Sequence, residues 1–421
     1  MKLLLVTLYF PPAGGGGVQR PLKFASQLPA LGIETHVLAP ETHGAAPHDA
    51  ELALPTQAWV HRLRYVGPKD SKPAERVHGK QGLARVSTQA ALLGRRLLVP
   101  DENVPWSTLA LPVAVRIARR EGIDVVLTTS PPGSLHLVGA AVKKTTGARW
   151  VADLRDSLTA HPHRRGDESR LVRLKEATAG GVARLVASQA DAIVAASDAI
   201  ADEARALEPR GPVRTIANGC DFDDFAGLEH TASDRFRLTH TGSFYGKRDP
   251  KPFLRALAES GLEDVVVRFV GDFRSEDRAF AESLGVANRI ELPGYVSRRR
   301  SLELQRDSEA LLLLIPDAGG RGVGVLSGKV FEYLAAERPV LAAVPPEGAA
   351  ATLIRDTGAG VVAAPDDVAG LRDALLGLHA RWRAGELEGT PLSSEWRDRL
   401  SRNRRVEELA ELLGSLEPVA G

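Results

Sequence analysis

Apolar positions along this chain fall into short solid runs, separated by stretches in which they recur every three or four residues. The first run, "KLLLVTLYF" from Lys2 to Phe10, is almost wholly apolar and rich in β-forming residues. Such a run is expected of a strand buried on both faces of a parallel sheet. Two prolines and four consecutive glycines, Gly14 to Gly17, follow it. Val18, Leu22, Ala25, Leu28 and Leu31 then recur at helical spacing until Gly32 stops the pattern. "IETHVLA" reads as the next strand.

The same alternation continues to the end of the chain. "IDVVLTTS" stops at Pro131-Pro132-Gly133, and an apolar helix pattern runs on to Gly147. "RWVADLRD", a polar loop with His161 and His163, a long helix from about residue 169, "DAIVAAS" and "VRTIANG" complete one set. A second set restarts with "FRLTHTG" and continues through "DVVVRFVGD", "RIELPGYV", "ALLLLIP", "RPVLAAV" and "GVVAAP". Strands alternating with helices predict parallel, doubly wound α/β sheets. Two sets predict two Rossmann-like domains, 1–212 and 213–397, joined near 211–222.

Composition narrows the class. A chain of 421 residues exceeds what one core supports, which agrees with two domains. Its 43% hydrophobic and 25% charged residues are ordinary for a soluble enzyme. A net charge of +1 argues against nucleic acid as a partner. The single cysteine, Cys220, excludes an internal disulfide and suits a reducing, cytoplasmic setting. The N-terminal apolar run is too short for a signal peptide or a span, so any membrane contact is expected to be peripheral.

Two glycine-rich loops carry the candidate chemistry. Gly14 to Gly17 sit where a strand turns into a helix, so free amides and the positive helix end can face an anion. The dinucleotide fingerprint fails there, because Gln19 or Arg20 stands in the third glycine's place, and no Gly-Lys-Ser/Thr follows for a P-loop. A ligand loop and a structural turn both remain open. The second loop, "PDAGGRGVGVLSGKVFEYLAAERPVLAAV" from residue 316, runs through Gly324, Val325 and Leu326 into Ser327-Gly328-Lys329 and a helix. Ser327 is expected to cap that helix, leaving the following amides for an anion. Lys329 in the first turn opposes the helix dipole, which makes sense if it holds a phosphate. Glu332, one turn on, can accept two hydroxyls of a ribose.

At these residues the chain resembles the GT-B glycosyltransferases of family 4. "GKVFEYLAAERPVLA" and "EGAAATLIRDTGAGVVAAPDDVAGLRDALLGL" are similar to that family's donor half. "FPPAGGGGVQRPLKFASQLPALGIETHVLAP" is similar to its acceptor-side start, "IANGCDFDDF" to its interdomain link, and "THTGSFYGKRDPKPFLRAL" to its basic loop. "TSPPGSLHLVGAAVKK" and "WVADLRD" resemble the bacterial polysaccharide branch.

The resemblance implies a GT-B fold with its site in a cleft between two domains, and a last helix, about 398–421, returning to the first. It implies metal-independent, retaining transfer of a sugar from a nucleotide-sugar donor, with no cofactor. Gly15, Gly16 and Gly17 would face the donor phosphates and the acceptor. Arg248, with Lys247 beside it, and Lys329 would hold the diphosphate; Glu332 would take the ribose; the Val296 backbone would flank the base. The acceptor would be an envelope glycan, a lipid-linked sugar or a small molecule. One departure stands out: the family's paired glutamate, eight residues before Glu332, is here Gly324. Donor-sugar contacts are therefore expected from the backbone of 324–326. A nucleotide-sugar 2-epimerase of the same architecture and a catalytically silent nucleotide-binding subunit remain as alternatives.

Other constellations are weaker. Asp153 and Asp156 in "DLRD" sit at a strand end and, with Ser130, are candidates for the acceptor side, although a structural Arg155–Asp156 pair fits equally. Asp-Phe-Asp at 221–223 matches a metal-chelating string but follows Asn218-Gly219 and reads as a turn. His161 and His163 lack a third ligand nearby. The basic segment 66–82, Arg164-Arg165 and Arg298-Arg299-Arg300 read as solvated surface.

Overall fold

The computed structural model describes residues 1–42, 46–68, 94, 97–159, 170–244 and 246–416. His161, His163, Arg164, Arg165 and positions 69–82 lie outside the described residues. The chain divides into two compact units. One holds the described residues from Met1 to Ala217 and those from Arg405 onward; the other holds Asn218 to Arg404.

The first unit is built on a seven-stranded sheet ordered β3-β2-β1-β4-β5-β6-β7. Its strands are β1 (Lys2–Val6), β2 (Glu34–Pro40), β3 (Trp59–Leu63), β4 (Val125–Ser130), β5 (Arg149–Leu154), β6 (Ala192–Ala195) and β7 (Val213–Thr215). All pairings are parallel, with Leu3 opposite Thr35 on one side and Val125 on the other. The solid apolar run in β1 follows from its place at the centre. Leu4 and Val6 pack with Trp106, Ala110, Val138 and Val142 of the helices Val104–Glu121 and Leu135–Thr146. Leu3 and Leu5 pack on the opposite face with Val18 and Ala25 of helix Gly16–Gln27 and with Val406, Leu409 and Leu413 of helix Arg402–Ser415. Each of these β1 side chains is fully buried, worth about 1.5–3 kcal/mol apiece.

The second unit carries a six-stranded parallel sheet ordered β10-β9-β8-β11-β12-β13. Its strands are β8 (Phe236–Thr241), β9 (Val265–Val270), β10 (Ile290–Gly294), β11 (Ala310–Leu314), β12 (Val340–Ala343) and β13 (Gly360–Ala363). One of its cores joins Phe236, Leu238 and Leu312 to Phe253 and Leu257 of helix Lys251–Glu259 and Leu371 and Leu375 of helix Val368–Arg383.

Three expectations shift. A break at 212 would remove β7 from the first sheet, yet β7 pairs in parallel with β6, Val213 opposite Ile193, so the first unit extends to Ala217. The return to that unit falls within helix Arg402–Ser415, while helix Ser394–Leu400 stays with the second. The first helix ends at Gln27 and tightens into a 3₁₀ turn over Leu28–Leu31, because Pro29 has no amide to extend the helix. Leu31 is consequently exposed, and Gly32 closes the turn at φ +78°.

Both sheets share one topological property. The chain lays down β1, β2 and β3 outward, then returns to place β4 on the other side of β1. It repeats this with β8, β9 and β10 followed by β11. Where the order reverses, the loops leaving the two adjacent strands diverge to opposite faces of the sheet. A crevice opens there, beyond the carboxyl ends of the strands. The two glycine-rich loops follow β1 and β11, at those two reversals.

Candidate active site

In the second unit the strand ends converge on bare backbone. Gly242, Gly271 and Gly294, at the ends of β8, β9 and β10, have φ of +117°, +124° and +73°. The Gly242 amide donates to the Val270 carbonyl at 2.7 Å, and the Gly271 amide to the Gly294 carbonyl at 2.8 Å. A Cβ on Gly271 would lie 2.8 Å from the Gly242 carbonyl carbon. On Gly242 it would lie 2.4 Å from Lys329 Cε and 2.6 Å from Nζ. The lysine therefore lies across the end of β8, in space that only glycine leaves open.

Lys329 comes from the first turn of helix Gly328–Ala336, which follows β11. Its ammonium is under electrostatic stress. Burial and the Arg248 guanidinium push its pKa down to about 7, with Glu332 pulling only partly the other way. Among the described residues, no carboxylate comes within ion-pair distance of it. Arg248 is buried and donates from Nη1 to the Ser243 carbonyl at 2.9 Å, whereas Lys247 is exposed. Beneath them His240 is fully buried, with Nδ1 donating to the Leu312 carbonyl at 2.8 Å. Burial, Lys329 and Arg248 all lower its pKa, so it is a neutral ring that adds no third charge. Tyr333 accepts a 2.8 Å hydrogen bond from the Thr241 amide and ties the helix to the last residue of β8. Burial raises its pKa, so the phenol keeps its proton.

The loop before this helix is shaped by Asp317, whose Oδ2 accepts from the amides of Gly319 and Gly320 at 3.1 and 3.0 Å. Gly322, Val323 and Val325 spend their amides inside the segment, on Asp317, Gly320 and Gly322. No described acceptor takes the amides of Gly324 or Leu326. Ser327 stands at the N-cap with extended backbone, but its hydroxyl accepts nothing from the first turn. The expected cap is thus a cap in position only. The amides of Gly328 and Lys329, like those at any helix start, have no partner within the helix.

Glu332 is half-buried and oriented from two sides. Its Oε2 accepts from Arg298 Nη1 at 2.9 Å and its Oε1 from Gln305 Nε2 at 2.5 Å. Arg298 also donates to Asp224 Oδ2, at 2.7 Å from Nη2. The arginine run is therefore not a uniform solvated face: the Arg298 side chain is 16% exposed against 72% for Arg299. A signal for this was present. Ser297 caps helix Arg298–Arg306, which puts a cation at the first helical position, the same unfavourable placement that singled out Lys329. Val296 is half-buried just before that cap.

The reversal in the first unit has another character. Gly15 is the N-cap of helix Gly16–Gln27 with φ +93°, and Gly15 and Gly16 are exposed with open space where a Cβ would stand. A Cβ on Gly17 would press on the Tyr9 ring at 3.3 Å. Four residues later Pro21 offers no amide to the Gly17 carbonyl, and Arg155 Nη1 donates to it instead. Arg155 Nε also donates to the Ser130 carbonyl at 2.9 Å, tying the loop after β1 to the end of β4. Asp153 and Ser130, read as acceptor-side residues, are each 1% exposed. Asp153 receives Arg20 Nη2 at 2.8 Å and the Thr129 hydroxyl at 2.7 Å, and Ser130 Oγ lies 3.4 Å from the Asp153 carbonyl. Burial makes both internal supports of the loop rather than surface contacts. Asp156 is half-buried.

Asp221 is held by Arg402 Nε at 2.6 Å, and a 3₁₀ turn spans Phe222–Phe225, so the Asp-Phe-Asp string forms a turn. Among the described residues, no three His, Cys, Asp or Glu side chains are grouped to hold a metal ion, and no helix is long and apolar enough to cross a membrane.

Comparison with known proteins agrees with this architecture. Residues 14–224 match the family model of Glycosyltransferase Family 4, and residues 235–381 match that of Glycosyl transferases group 1. No curated protein matches the chain. Among solved structures, sucrose-phosphate synthase from Thermosynechococcus elongatus superposes with a TM-score of 0.63 at 17% identity, covering 99% of this chain and 98% of that one. HepE of Anabaena in complex with UDP-glucose gives 0.62 at 15% identity, covering 99% and 100%. WaaG, a glycosyltransferase involved in lipopolysaccharide biosynthesis, gives 0.61 at 17%, covering 98% and 100%. At such identities the likeness shows the two-domain GT-B fold, and the family models show the class of chemistry. The chain belongs to glycosyltransferase family 4 and is a glycosyl-transferring enzyme.

Proposed function

We propose that the enzyme takes its sugar from a nucleoside diphosphate donor and transfers it, with retained anomeric configuration, to a hydroxyl of an envelope glycan, a lipid-linked sugar or a small-molecule acceptor. The observation that carries this reading is Lys329, a cation laid over Gly242 beside Arg248, with no carboxylate of the described residues pairing it. Two adjacent cations disfavour each other, and an anion between them relieves both. A diphosphate suits, because it gains negative charge as its bond to the sugar breaks. The amides of Gly324, Leu326, Gly328 and Lys329 add fixed donors at a helix N-terminus.

The atoms balance without a separate base. The bond from the anomeric carbon to the phosphate oxygen breaks, the acceptor oxygen bonds to that carbon on the same face, and the departing phosphate accepts the hydroxyl proton. Glu332 takes the ribose, Val296 flanks the base, and the backbone at 324–326 replaces the carboxylate that Gly324 lacks. With Lys329 and Arg248 neutralising the diphosphate, no metal ion is required. HepE, with the same fold, is described in complex with UDP and with UDP-glucose, which supports a nucleotide-sugar donor here.

A thermal-shift screen of UDP, GDP, dTDP, ADP and their common sugars, with and without EDTA, tests the reading. Stabilisation by one nucleotide family, unchanged by the chelator, is expected. Response to none of them, or a response that vanishes in EDTA and returns with manganese, would overturn it.

A further inference from the structure

We propose that Arg298 is a positioning residue for nucleoside recognition: one edge of its guanidinium fixes the Glu332 carboxylate, and the other anchors on Asp224. The inference rests on the donor reading above and adds a residue to it.

Three observations carry it. Arg298 opens helix Arg298–Arg306, where a cation meets the positive end of the dipole, yet it turns inward while Arg299 and Arg300 remain solvated. Its fork is divided between two acceptors on different segments, Nη1 to Glu332 Oε2 at 2.9 Å and Nη2 to Asp224 Oδ2 at 2.7 Å. A planar guanidinium can hold that geometry and a lysine cannot. Finally, Glu332 is gripped at both oxygens, Oε1 receiving Gln305 Nε2 at 2.5 Å. A carboxylate offers about four lone-pair sites. Two are used here, one on each oxygen, and one on each stays available. That is the pattern needed to accept a pair of neighbouring hydroxyls from a side chain with little rotamer freedom left to lose.

The anchor is itself held. Asp224 lies in the 3₁₀ turn Phe222–Phe225, and Asp221 just before it is 3.8 Å from Arg298 Nη2 and 2.6 Å from Arg402 Nε. Arg402 also donates to the Gly219 carbonyl at 3.1 Å, and the Cys220 amide to the Leu400 carbonyl at 2.6 Å. The orientation of Glu332 thus refers back to a tied segment of backbone within the second unit.

The test compares two ligands, inorganic pyrophosphate and the nucleoside diphosphate that the parent chain binds, by calorimetry on the full chain. Arg298→Ala is expected to weaken the nucleoside diphosphate tenfold or more and to leave pyrophosphate within twofold. Arg298→Lys should recover only part of the loss, and Gln305→Ala should cost a few-fold with the same selectivity. Combined with Glu332→Ala, Arg298→Ala should add nothing, because both act through one carboxylate. Equal weakening of both ligands, additive losses, or parent-like affinity would each overturn the assignment. Should Arg298→Ala fail to fold, Arg298→Lys keeps the charge and decides by the same selectivity. A parent chain that binds none of the four nucleoside diphosphates would overturn the donor reading and this one with it; a parent that binds while Arg298→Ala and Arg298→Lys are unchanged overturns this one alone.

Discussion

The two units place their glycine-rich loops by the same topology and treat charge there in opposite ways. Beside the β1–β4 reversal, Arg20 and Asp153 are 2% and 1% exposed and satisfy each other at 2.8 Å, with Thr129 on the second carboxylate oxygen and the Ala217 carbonyl on Arg20 Nη1. Beside the β8–β11 reversal, Lys329 has no described carboxylate partner and shares its surroundings with Arg248. A buried charge is tolerated when it is compensated; one left short of counter-charge holds free energy that a ligand can release. The first arrangement stiffens a loop. The second leaves a cation short of counter-charge, which is the feature the proposed diphosphate site rests on.

The largest expected effect tests the compensated side. Asp153→Ala leaves Arg20 buried without its carboxylate and should destabilise the first unit by about 3–5 kcal/mol in chemical denaturation. A loss below about 1 kcal/mol, the range of an exposed pair, would break the contrast. Nearly as large, Lys329→Ala and Arg248→Ala should each lower kcat/KM by roughly 100- to 1,000-fold, about 3–4 kcal/mol of transition-state stabilisation. Lys329→Ala should do so without loss of stability, since it removes a strained charge. Parent-like transfer by both variants would overturn the proposed diphosphate clamp.

Smaller effects sharpen the picture. Tyr333→Phe strips the acceptor from the Thr241 amide, and an unsatisfied buried donor costs about 1–3 kcal/mol. A circular-dichroism melt should therefore drop, and an unchanged melt would show that the helix does not depend on that tie. The pH dependence comes last. With Lys329 at about 7 in the free protein against an ordinary 10.5, the native state binds fewer protons than the unfolded state between those values. The lysine's contribution to stability therefore rises with pH through that window, and its burial cost is fully present below about pH 7. Anion binding runs the other way. Diphosphate affinity should fall above pH 7 by up to tenfold per unit, about 1.4 kcal/mol, because the lysine must take up a proton to bind. Lys329→Arg should flatten that slope. A parent profile already flat from pH 7 to 9 would mean that the ammonium is not the partner.

Much of this was legible in the chain. The solid apolar runs located the strands, and residues such as Gly32 and Gly147 marked helix ends through their freedom at positive φ. Lys329 stood out because a cation in a first helical turn opposes the dipole. The same rule applied to Arg298 would have separated it from Arg299 and Arg300, had Ser297 been recognised as a cap. Ser327 shows the converse: its place at the N-cap was readable, but the direction of its hydroxyl was not.

By itself, then, the sequence determined the two α/β sheets, the places of the two glycine-rich loops and the cation that follows the second loop, because strand periodicity, glycine conformation and the helix dipole are all local. Tertiary structure alone decided the partners. Arg20 meets Asp153 across 133 residues and Arg298 meets Asp224 across 74, through sheet order and helix placement that no local pattern encodes. It also decided that β7 stays with the first sheet, since a three-residue strand declares its neighbour only by pairing with it. Whether a charge is a support or a site depends on what stands opposite, and in this protein what stands opposite is far away in the chain.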